Sequence, residues 1–298
     1  MRCDLGFGIC GVGFGVWDLG FGIYHHKMHN PFVPETLEGW SVLHLMYRVR
    51  WDRIRALANT DRRRMAEEAV GALVVPDAGS TAFVQVLGHK ADLMLVCFRR
   101  GFEQLAQAQL AFSRTALHDV LEATSSYVSV VELGMYEMTA KMHAQVGAAH
   151  KPGTDEFDSA FEGEMETQRQ RVMGRLFLDL PGARYVCFYP MNKRRGEAVN
   201  WYSETFERRA SMMREHGMIG RHYTGKVTQV ISGSIGFDDW EWGVDLFAQD
   251  PLVFKKLIYE MRFDEASAKF AEFGPFYTGL QFAPGQLASF LDGQVPTL

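Results

Sequence analysis

The sequence predicts an α+β fold in which one β-α-β-β-α-β unit occurs twice in tandem. After residue 38, strand-like apolar runs and helical stretches follow the same order in both halves of the chain. The segments Gly88-His89-Lys90-Ala91-Asp92 and Gly236-Phe237-Asp238-Asp239-Trp240 fall at matching points of that order. Because a repeated supersecondary pattern indicates duplication, we expect two tandem ferredoxin-like domains of the dimeric α+β barrel type.

The elements of the first half follow from apolar runs, alternation and helical periodicity. Alternation near the end of this half places Val128, Val130 and Glu132 on one face of a strand. The predicted elements are a strand at residues 40–47, a helix at 60–73, strands at 82–87 and 92–98, a helix at 101–117 and a strand at 126–133.

The second half repeats these elements. Its first helix is expected to end at His216, because Gly217 is a typical residue just beyond a helix C-terminus. The predicted elements are a strand at residues 185–191, a helix at 203–216, strands at 229–235 and 240–247, a helix at 251–267 and a strand at 276–282.

Four segments follow from these patterns. The first is glycine-rich and contains Asp-Leu-Gly-Phe-Gly-Ile twice, so we interpret it as a disordered extension or as sequence read through before a start at Met28. Its frequent glycines argue against a membrane-spanning helix, and a signal peptide is not indicated. The predicted segments are this extension at 1–35, an N-terminal ferredoxin-like half at 36–137, a linker at 138–174 and a C-terminal half at 175–298.

Composition is that of an ordinary globular protein, with 47% hydrophobic and 22% charged residues. A formal net charge of -5 argues against nucleic-acid binding, which favours a broad basic surface. Cys3, Cys10, Cys97 and Cys187 lack the spacing of a metal site or a disulfide framework. Since Cys97 and Cys187 lie in apolar runs, we expect buried thiols in a reducing cytoplasm.

Basic residues concentrate in the second half. Residues 189–226 contain eight Lys or Arg against four Glu. Arg208, Arg209 and Arg214 can simply form a solvated helix face, but Lys193 follows a strand and lies near Tyr189, where it could bind an anion. Taken alone, Tyr189 is more typical of a sheet core, and His216 of a helix end. Neither residue alone establishes a function.

Several longer motifs together resemble the coproheme decarboxylases of the chlorite dismutase superfamily. The resemblance covers about residues 36–290 and is looser in the first half, at Gly39-Trp40, 88–92 and 127–133. Its strongest motifs are Tyr-Pro-Met-Asn-Lys-Arg-Arg at 189–195, Arg-Glu-His-Gly-Met-Ile-Gly-Arg at 214–221, Gly-Lys-Val-Thr-Gln-Val-Ile-Ser-Gly-Ser at 225–234 and Asp-Asp-Trp-Glu-Trp-Gly-Val at 238–244.

This resemblance implies a role for each matched residue. His216 is implied as the axial iron ligand, Tyr189 as the catalytic tyrosine, and Lys193 as a catalytic lysine that binds a propionate and supplies a proton. Gln229 corresponds to the residue on the other side of the iron, where chlorite dismutases have an arginine. The remaining implied porphyrin contacts are Arg175, Pro190, Met191, Asn192, Trp201, Arg262 and Ser267.

The implied reaction is the oxidative decarboxylation of two propionates of coproheme III (Fe-coproporphyrin III) to vinyl groups. Hydrogen peroxide is the oxidant, a Tyr189 radical removes hydrogen, and haem b is the product, in the last step of the coproporphyrin-dependent pathway. The resemblance also implies a cytoplasmic homo-oligomer, a pentamer, with transient contact to a ferrochelatase and no membrane span. The alternative is a haem enzyme that acts as a chlorite dismutase or a peroxidase.

Overall fold

The computed structural model describes residues 29–74 and 79–298. Its first half comprises β1 (Thr36–Val49), α1 (Trp51–Ala56), α2 (Asn59–Leu73), β2 (Gly79–Val86), β3 (Leu93–Arg99), α3 (Phe102–Ser113) and β4 (Leu121–Gly134). Two helices follow, α4 (Tyr136–Ala149) and α5 (Asp155–Leu176). The second half comprises β5 (Tyr185–Lys193), α6 (Phe206–His222), β6 (Thr228–Gly233), β7 (Trp242–Ala248), α7 (Leu252–Met261), α8 (Glu265–Ala268), β8 (Ala271–Phe273), β9 (Tyr277–Phe282) and α9 (Leu287–Leu291).

The strands of both halves form one antiparallel sheet that closes into a barrel. Their order is β7-β6-β4-β1-β3-β2-β9-β5-β8, and β7 also pairs with β5, which completes the ring. One face of each strand points into the barrel and forms a core shared by the two halves. The other face carries helices: α2, α3 and α9 cover the first half, and α6 and α7 cover the second. The predicted α+β fold of two tandem β-α-β-β-α-β units is therefore confirmed.

Three predicted helices have different limits in the structure. The prediction that Gly217 stops α6 is wrong, because the helix continues to His222 and places His216 inside it. A glycine within a helix costs about 1 kcal/mol relative to alanine, and the packing of Ile219 and Tyr223 against the sheet offsets that cost. The predicted helix at 251–267 is two helices, α7 and α8, and α3 ends at Ser113 instead of residue 117.

The connection predicted as a linker is a pair of helices. The segment Lys151-Pro152-Gly153-Thr154 separates α4 from α5, and Thr154 Oγ1 caps α5 by accepting a hydrogen bond from the Phe157 N–H (3.3 Å). The end of α5 approaches β1 so closely that a Cβ at Gly39 would lie 2.0 Å from the Leu176 carbonyl oxygen. Glycine at position 39 is thus needed for the end of α5 to pack closely against β1.

Predictions for the first 28 residues, including the extension, Cys3 and Cys10, lie outside the described residues. Cys97 and Cys187 are buried free thiols, as predicted. Within the described part of the chain, no helix has both the length and the apolar character needed to cross a bilayer.

A buried polar pair joins the two halves inside the barrel. His44 of β1 places Nε2 at 3.0 Å and 3.1 Å from the carboxylate oxygens of Asp245 on β7. Both side chains are at most 1% exposed, and the His44 ring stacks on Phe188 with a centroid separation of 3.9 Å. Removing one member of such a buried pair leaves the other without compensation.

We expect Asp245→Ala to lower the free energy of unfolding by about 3–5 kcal/mol, because the buried imidazole loses its acceptor. Denaturant-induced unfolding measures this change. Asp239→Ala is the matched control, since Asp239 is exposed and surface substitutions usually alter stability by less than about 0.5 kcal/mol. Equal stability of the two variants would contradict a joining role for the pair.

Candidate functional site

The candidate site lies on the outer face of β5 and β7, beneath α6 and α7. Strand alternation puts Tyr189 on this face with Lys193, four residues later on the same strand. Tyr189 belongs to an apolar cluster that includes Val244 and Leu246 of β7. Ile219 of α6 packs against the same cluster. Since residues three apart share one side of a helix, His216 lies on the side of α6 that faces the sheet.

His216 is held by a carboxylate. Its Nδ1 lies 3.0 Å from Asp264 Oδ2, and the Ser267 hydroxyl lies 3.3 Å from the same nitrogen. Asp264 also caps α8 by accepting a hydrogen bond from the Ser267 N–H (2.9 Å). Burial alone would raise the pKa of Asp264, but the hydrogen bonds from His216 and Ser267 hold that pKa below its usual value. Asp264 is therefore ionised at neutral pH, and Nε2 of His216 is the ring nitrogen left for a metal.

Lys193 ends β5 with its ammonium enclosed by protein. Its Nζ donates to the Ala266 carbonyl oxygen (2.9 Å) and lies 4.5 Å from the centre of the Trp201 ring. Its backbone N–H donates to Glu241 Oε2 (2.8 Å). Burial lowers the pKa of Lys193 to about 8, against the opposing charges of Asp264 and Glu241. A cation so poorly solvated has a strong tendency to pair with an anion or to release its proton.

Tyr189 is a buried phenol. Its ring stacks on Phe276 at a centroid separation of 4.5 Å and lies 5.7 Å from Phe273. Burial raises the pKa of Tyr189 well above its ordinary value, Cys187 raises it further, and Arg262 partly opposes them. The hydroxyl therefore keeps its proton at neutral pH. Loss of an electron from this ring must be accompanied by loss of that proton.

Arg262, Gln229 and Trp201 border this cluster. The Arg262 guanidinium lies 3.9 Å from the centre of the Phe273 ring, and the residue is otherwise exposed. Gln229 pairs with Leu246 across β6 and β7, so it shares the outer face with Tyr189. Trp201 is 3% exposed and packs against Phe270 at 5.3 Å. The structure thus brings the predicted residues His216, Tyr189, Lys193, Trp201, Gln229, Arg262 and Ser267 to one side of the sheet.

Two predicted contacts point the other way. Pro190 and Asn192 alternate with Tyr189, so their side chains face away from the Tyr189 cluster, whereas Met191 packs against it. Asn192 Oδ1 accepts the Glu241 N–H (2.7 Å), and Gly274 packs against the Pro190 ring. The side chains of Pro190 and Asn192 thus lie on the opposite face of β5 from Tyr189, and their contact with a porphyrin stays a prediction.

Arg175 is not brought into contact with the other predicted residues. It lies in the last turn of α5 and is exposed. Within the described residues its guanidinium makes no hydrogen bond or ion pair, so it is available to an anion. Its place at the site remains a prediction.

Asp264 and Glu241 are residues that the sequence reasoning missed. The predicted single helix at 251–267 places Asp264 in a helix interior, where no N-cap is expected. Asp is nevertheless a typical N-cap residue, and this one lies three residues before Ser267. Glu241 lies between two tryptophans, just before β7, and its sequence position alone gives no sign of a functional role. It is buried, accepts the Lys193 N–H and lies 3.4 Å from the Arg195 guanidinium.

The donors suit an anionic iron porphyrin, but Tyr189 and Lys193 are buried under neighbouring side chains. The donor set comprises an imidazole with a free Nε2, cations at Lys193 and Arg262, and the Ser267 hydroxyl. Two cavities lie elsewhere: one of about 110 Å³ beside Phe188 and Pro190, and a shallow groove of about 320 Å³ beside Arg195 and Tyr202. A macrocycle between α6 and the sheet would have to displace the aromatic side chains packed there, of which Phe276 is the nearest to Tyr189.

Fold and site together define a class: a duplicated α+β barrel with a carboxylate-held imidazole and a buried phenol between helix and sheet. A sequence profile of the chlorite dismutase family matches residues 62–282. A coproheme decarboxylase from Staphylococcus carnosus is 41% identical, over 82% of this chain and 92% of that protein. The chain belongs to the chlorite dismutase family.

Two further relatives extend the comparison. The solved structure of a heme-binding protein from Thermus thermophilus is 41% identical, with a TM-score of 0.74, over 89% of this chain and 99% of that one. A protein of Natronomonas pharaonis, whose assigned name proposes heme binding, is 44% identical over 86% of this chain. The chain spans only 41% of that longer relative.

Proposed function

We propose that the chain is a coproheme decarboxylase that uses hydrogen peroxide to convert two propionates of coproheme III into vinyl groups, giving haem b. Identity of 41% to a coproheme decarboxylase over most of both chains supports the substrate class. The observation that carries the proposal is the placement of Tyr189 and Lys193 on one strand face beneath the helix that bears His216.

Each propionate consumes one peroxide. The group –CH2–CH2–COOH and H2O2 give –CH=CH2, CO2 and two H2O, so the side chain loses two electrons and the peroxide gains them. When coproheme is bound, its iron supplies the centre at which peroxide is reduced. We infer that Nε2 of His216 binds that iron, with Asp264 fixing the orientation and basicity of the ring.

Tyr189 and Lys193 would handle the propionate. A neutral phenol can give up an electron and its proton together and then take a hydrogen atom from the side chain. The side-chain radical would release CO2 and become a vinyl group on losing a second electron, so that both electrons are used in the reduction of one peroxide. Lys193 can pair with the carboxylate and hold or return a proton, because its pKa of about 8 lies close to neutrality. Arg262, Ser267 and Arg175 would bind the remaining propionates as cationic or hydroxyl donors.

Chlorite dismutation is the alternative within the family. Gln229 is a neutral side chain at the position where the family resemblance implies an arginine in chlorite dismutases, and this argues against it. The homopentameric ring, the cytoplasmic location and the contact with a ferrochelatase stay predictions.

Mass spectrometry of the porphyrin tests the proposed function. We expect coproheme-loaded protein, treated with stepwise additions of peroxide, to yield a singly decarboxylated species and then haem b. Chlorite added to the same sample should release no oxygen at a catalytic rate. Unchanged coproheme together with rapid oxygen release from chlorite would favour the alternative.

We expect coproheme affinity to fall as the pH rises through about 8, because Lys193 then loses the charge that pairs with a propionate. Titration of coproheme at several pH values, followed by porphyrin absorbance, measures this dependence. Lys193→Met should bind more weakly at pH 7 and should lose the inflection near pH 8. An inflection that persists in Lys193→Met would assign it to another group.

A further inference from the structure

Glu241 is a buried carboxylate to which the proposed reaction gives no role. It lies directly before β7 and is 6% exposed. A carboxylate is almost never buried unless it is paired or hydrogen-bonded, so its partners indicate what it does. Those partners belong mainly to the end of β5, the strand that carries Tyr189 and Lys193.

Three residues at the end of β5 contact Glu241. The Glu241 backbone N–H donates to Asn192 Oδ1 (2.7 Å), and the Lys193 backbone N–H donates to Glu241 Oε2 (2.8 Å). Glu241 Oε1 lies 3.4 Å from Arg195 Nε. Because the paired residues of β5 and β7 end at Met191, these contacts extend the connection between the two strands beyond their backbone pairing. They fix the backbone from which the Lys193 side chain starts.

Two side chains hold the Glu241 carboxylate from the solvent side. The Tyr202 hydroxyl hydrogen bonds to the Glu241 side chain; burial raises the pKa of Tyr202, and the charge of Glu241 raises it further. Arg195 and Tyr202 line the shallow groove together with Glu241. With partners on both the strand side and the groove side, the carboxylate has little freedom to turn away from Lys193.

The same carboxylate acts on the Lys193 ammonium. Burial lowers the pKa of Lys193 to about 8, and the charges of Asp264 and Glu241 oppose that decrease. Asp264 is also bound to His216, whereas Glu241 contacts Lys193 directly. The titratable and charged groups on the elements that pack against Lys193 include Glu241, Asp264, Glu272, Tyr202, Arg194 and Arg195.

We propose that Glu241 is a positioning residue for Lys193, whose carboxylate fixes the end of β5 and stabilises the buried ammonium so that it meets a propionate as a cation. The inference rests on the proposed function, in which Lys193 binds that propionate. A nearby opposite charge favours the charged form of a buried lysine. Correct placement of a catalytic group lowers the barrier to reaction. Glu241 exerts both effects through Lys193.

Two substitutions separate the charge of Glu241 from its hydrogen bond. Glu241→Gln removes the charge but keeps an oxygen that can accept the Lys193 N–H, whereas Glu241→Ala removes both. Glu272→Gln is the matched control. Glu272 lies on β8 opposite Asn192, is exposed, and its Oε1 lies 3.8 Å from Arg194 Nε. It is thus a carboxylate at the same strand end without a contact to Lys193.

Titration of Lys193 in the porphyrin-free protein is the first measurement. Carbon-13 NMR of lysines labelled at Cε follows loss of the ammonium proton, and the Lys193 signal is the one absent from Lys193→Met. We expect a midpoint at about pH 8 in the unmodified chain and in Glu272→Gln. In Glu241→Gln the midpoint should be lower by on the order of one pH unit, because an opposite charge has been removed. An unchanged midpoint in Glu241→Gln would overturn the proposal.

Conversion of coproheme by the same variants is the second measurement. At a pH well below both midpoints, Glu241→Gln should react at close to the rate of the unmodified chain. Glu241→Ala should be slower by about 10-fold to 100-fold, because the end of β5 is no longer fixed. Equal rates in these two variants would contradict the positioning role.

The two measurements keep this inference separate from the proposed function. If the unmodified chain leaves coproheme unconverted, the proposed function fails, while the NMR midpoint still tests the action of Glu241 on Lys193. If Glu241→Ala does not fold, the titration of Glu241→Gln decides.

Discussion

Tyr189→Phe is expected to bind coproheme but to form haem b at a rate lower by a factor on the order of 10²–10⁴. The substitution removes only the hydroxyl, so in the porphyrin-free protein the ring can still stack on Phe276 as Tyr189 does at 4.5 Å. Phenylalanine has no proton to lose with an electron, and it cannot take a hydrogen atom from the propionate. The rate of porphyrin conversion per peroxide, followed by mass spectrometry, measures the effect.

Tyr185→Phe is the control for this experiment. Tyr185 lies on the same strand and packs against the same cluster, four residues before Tyr189. Its loss of a hydroxyl should leave the rate within about a factor of two, since no role in the reaction is assigned to it. Full activity in Tyr189→Phe, or an equal loss in both variants, would remove the specific role proposed for Tyr189.

His216→Ala is expected to lose the axial bond to the iron and to weaken coproheme binding by about 100-fold or more, because the ring that binds the metal directly is removed. The absorbance of the porphyrin should change to that of iron without an imidazole. Added imidazole should restore the original spectrum by filling the space left by the side chain.

Two further substitutions sharpen this result. Asp264→Asn keeps a hydrogen-bond acceptor for His216 but removes the charge, so its effect should be intermediate, about 10-fold to 100-fold. His222 lies on the same helix and is largely exposed. His222→Ala should therefore bind coproheme as the unmodified chain does. A normal spectrum in His216→Ala would assign the iron ligand to another residue.

Much of the fold followed from the sequence because each element has its own local pattern. Apolar runs, the alternation at residues 128–132 and the repeated order of elements predict the two halves without knowledge of their contacts. The pairings of β4 with β6 and of β2 with β9, which join the two halves into the barrel, were not predictable in this way, since no local pattern shows which edge strand of one half meets which edge strand of the other. The continuation of α6 past Gly217 was also missed, because tertiary packing of Ile219 and Tyr223 overrides the local signal.

The site was predicted as a set of motif positions and not as a geometry. The motif identified Tyr189 and Lys193, but strand alternation separates them from Pro190 and Asn192 on the same run. The contact between His216 and Asp264 joins residues 48 positions apart. Such a pairing depends on how α6 and α8 pack, which neither residue reveals alone.

A structure of the coproheme complex tests the central claim most directly, because it locates the macrocycle. We expect the iron to be bonded to Nε2 of His216, a propionate to lie beside the Tyr189 hydroxyl and the Lys193 ammonium, and Phe276 to be displaced from its present stacking position. The central claim would be contradicted by a porphyrin bound in the groove beside Arg195 and Tyr202, with His216 in contact with Asp264 but not bonded to the iron.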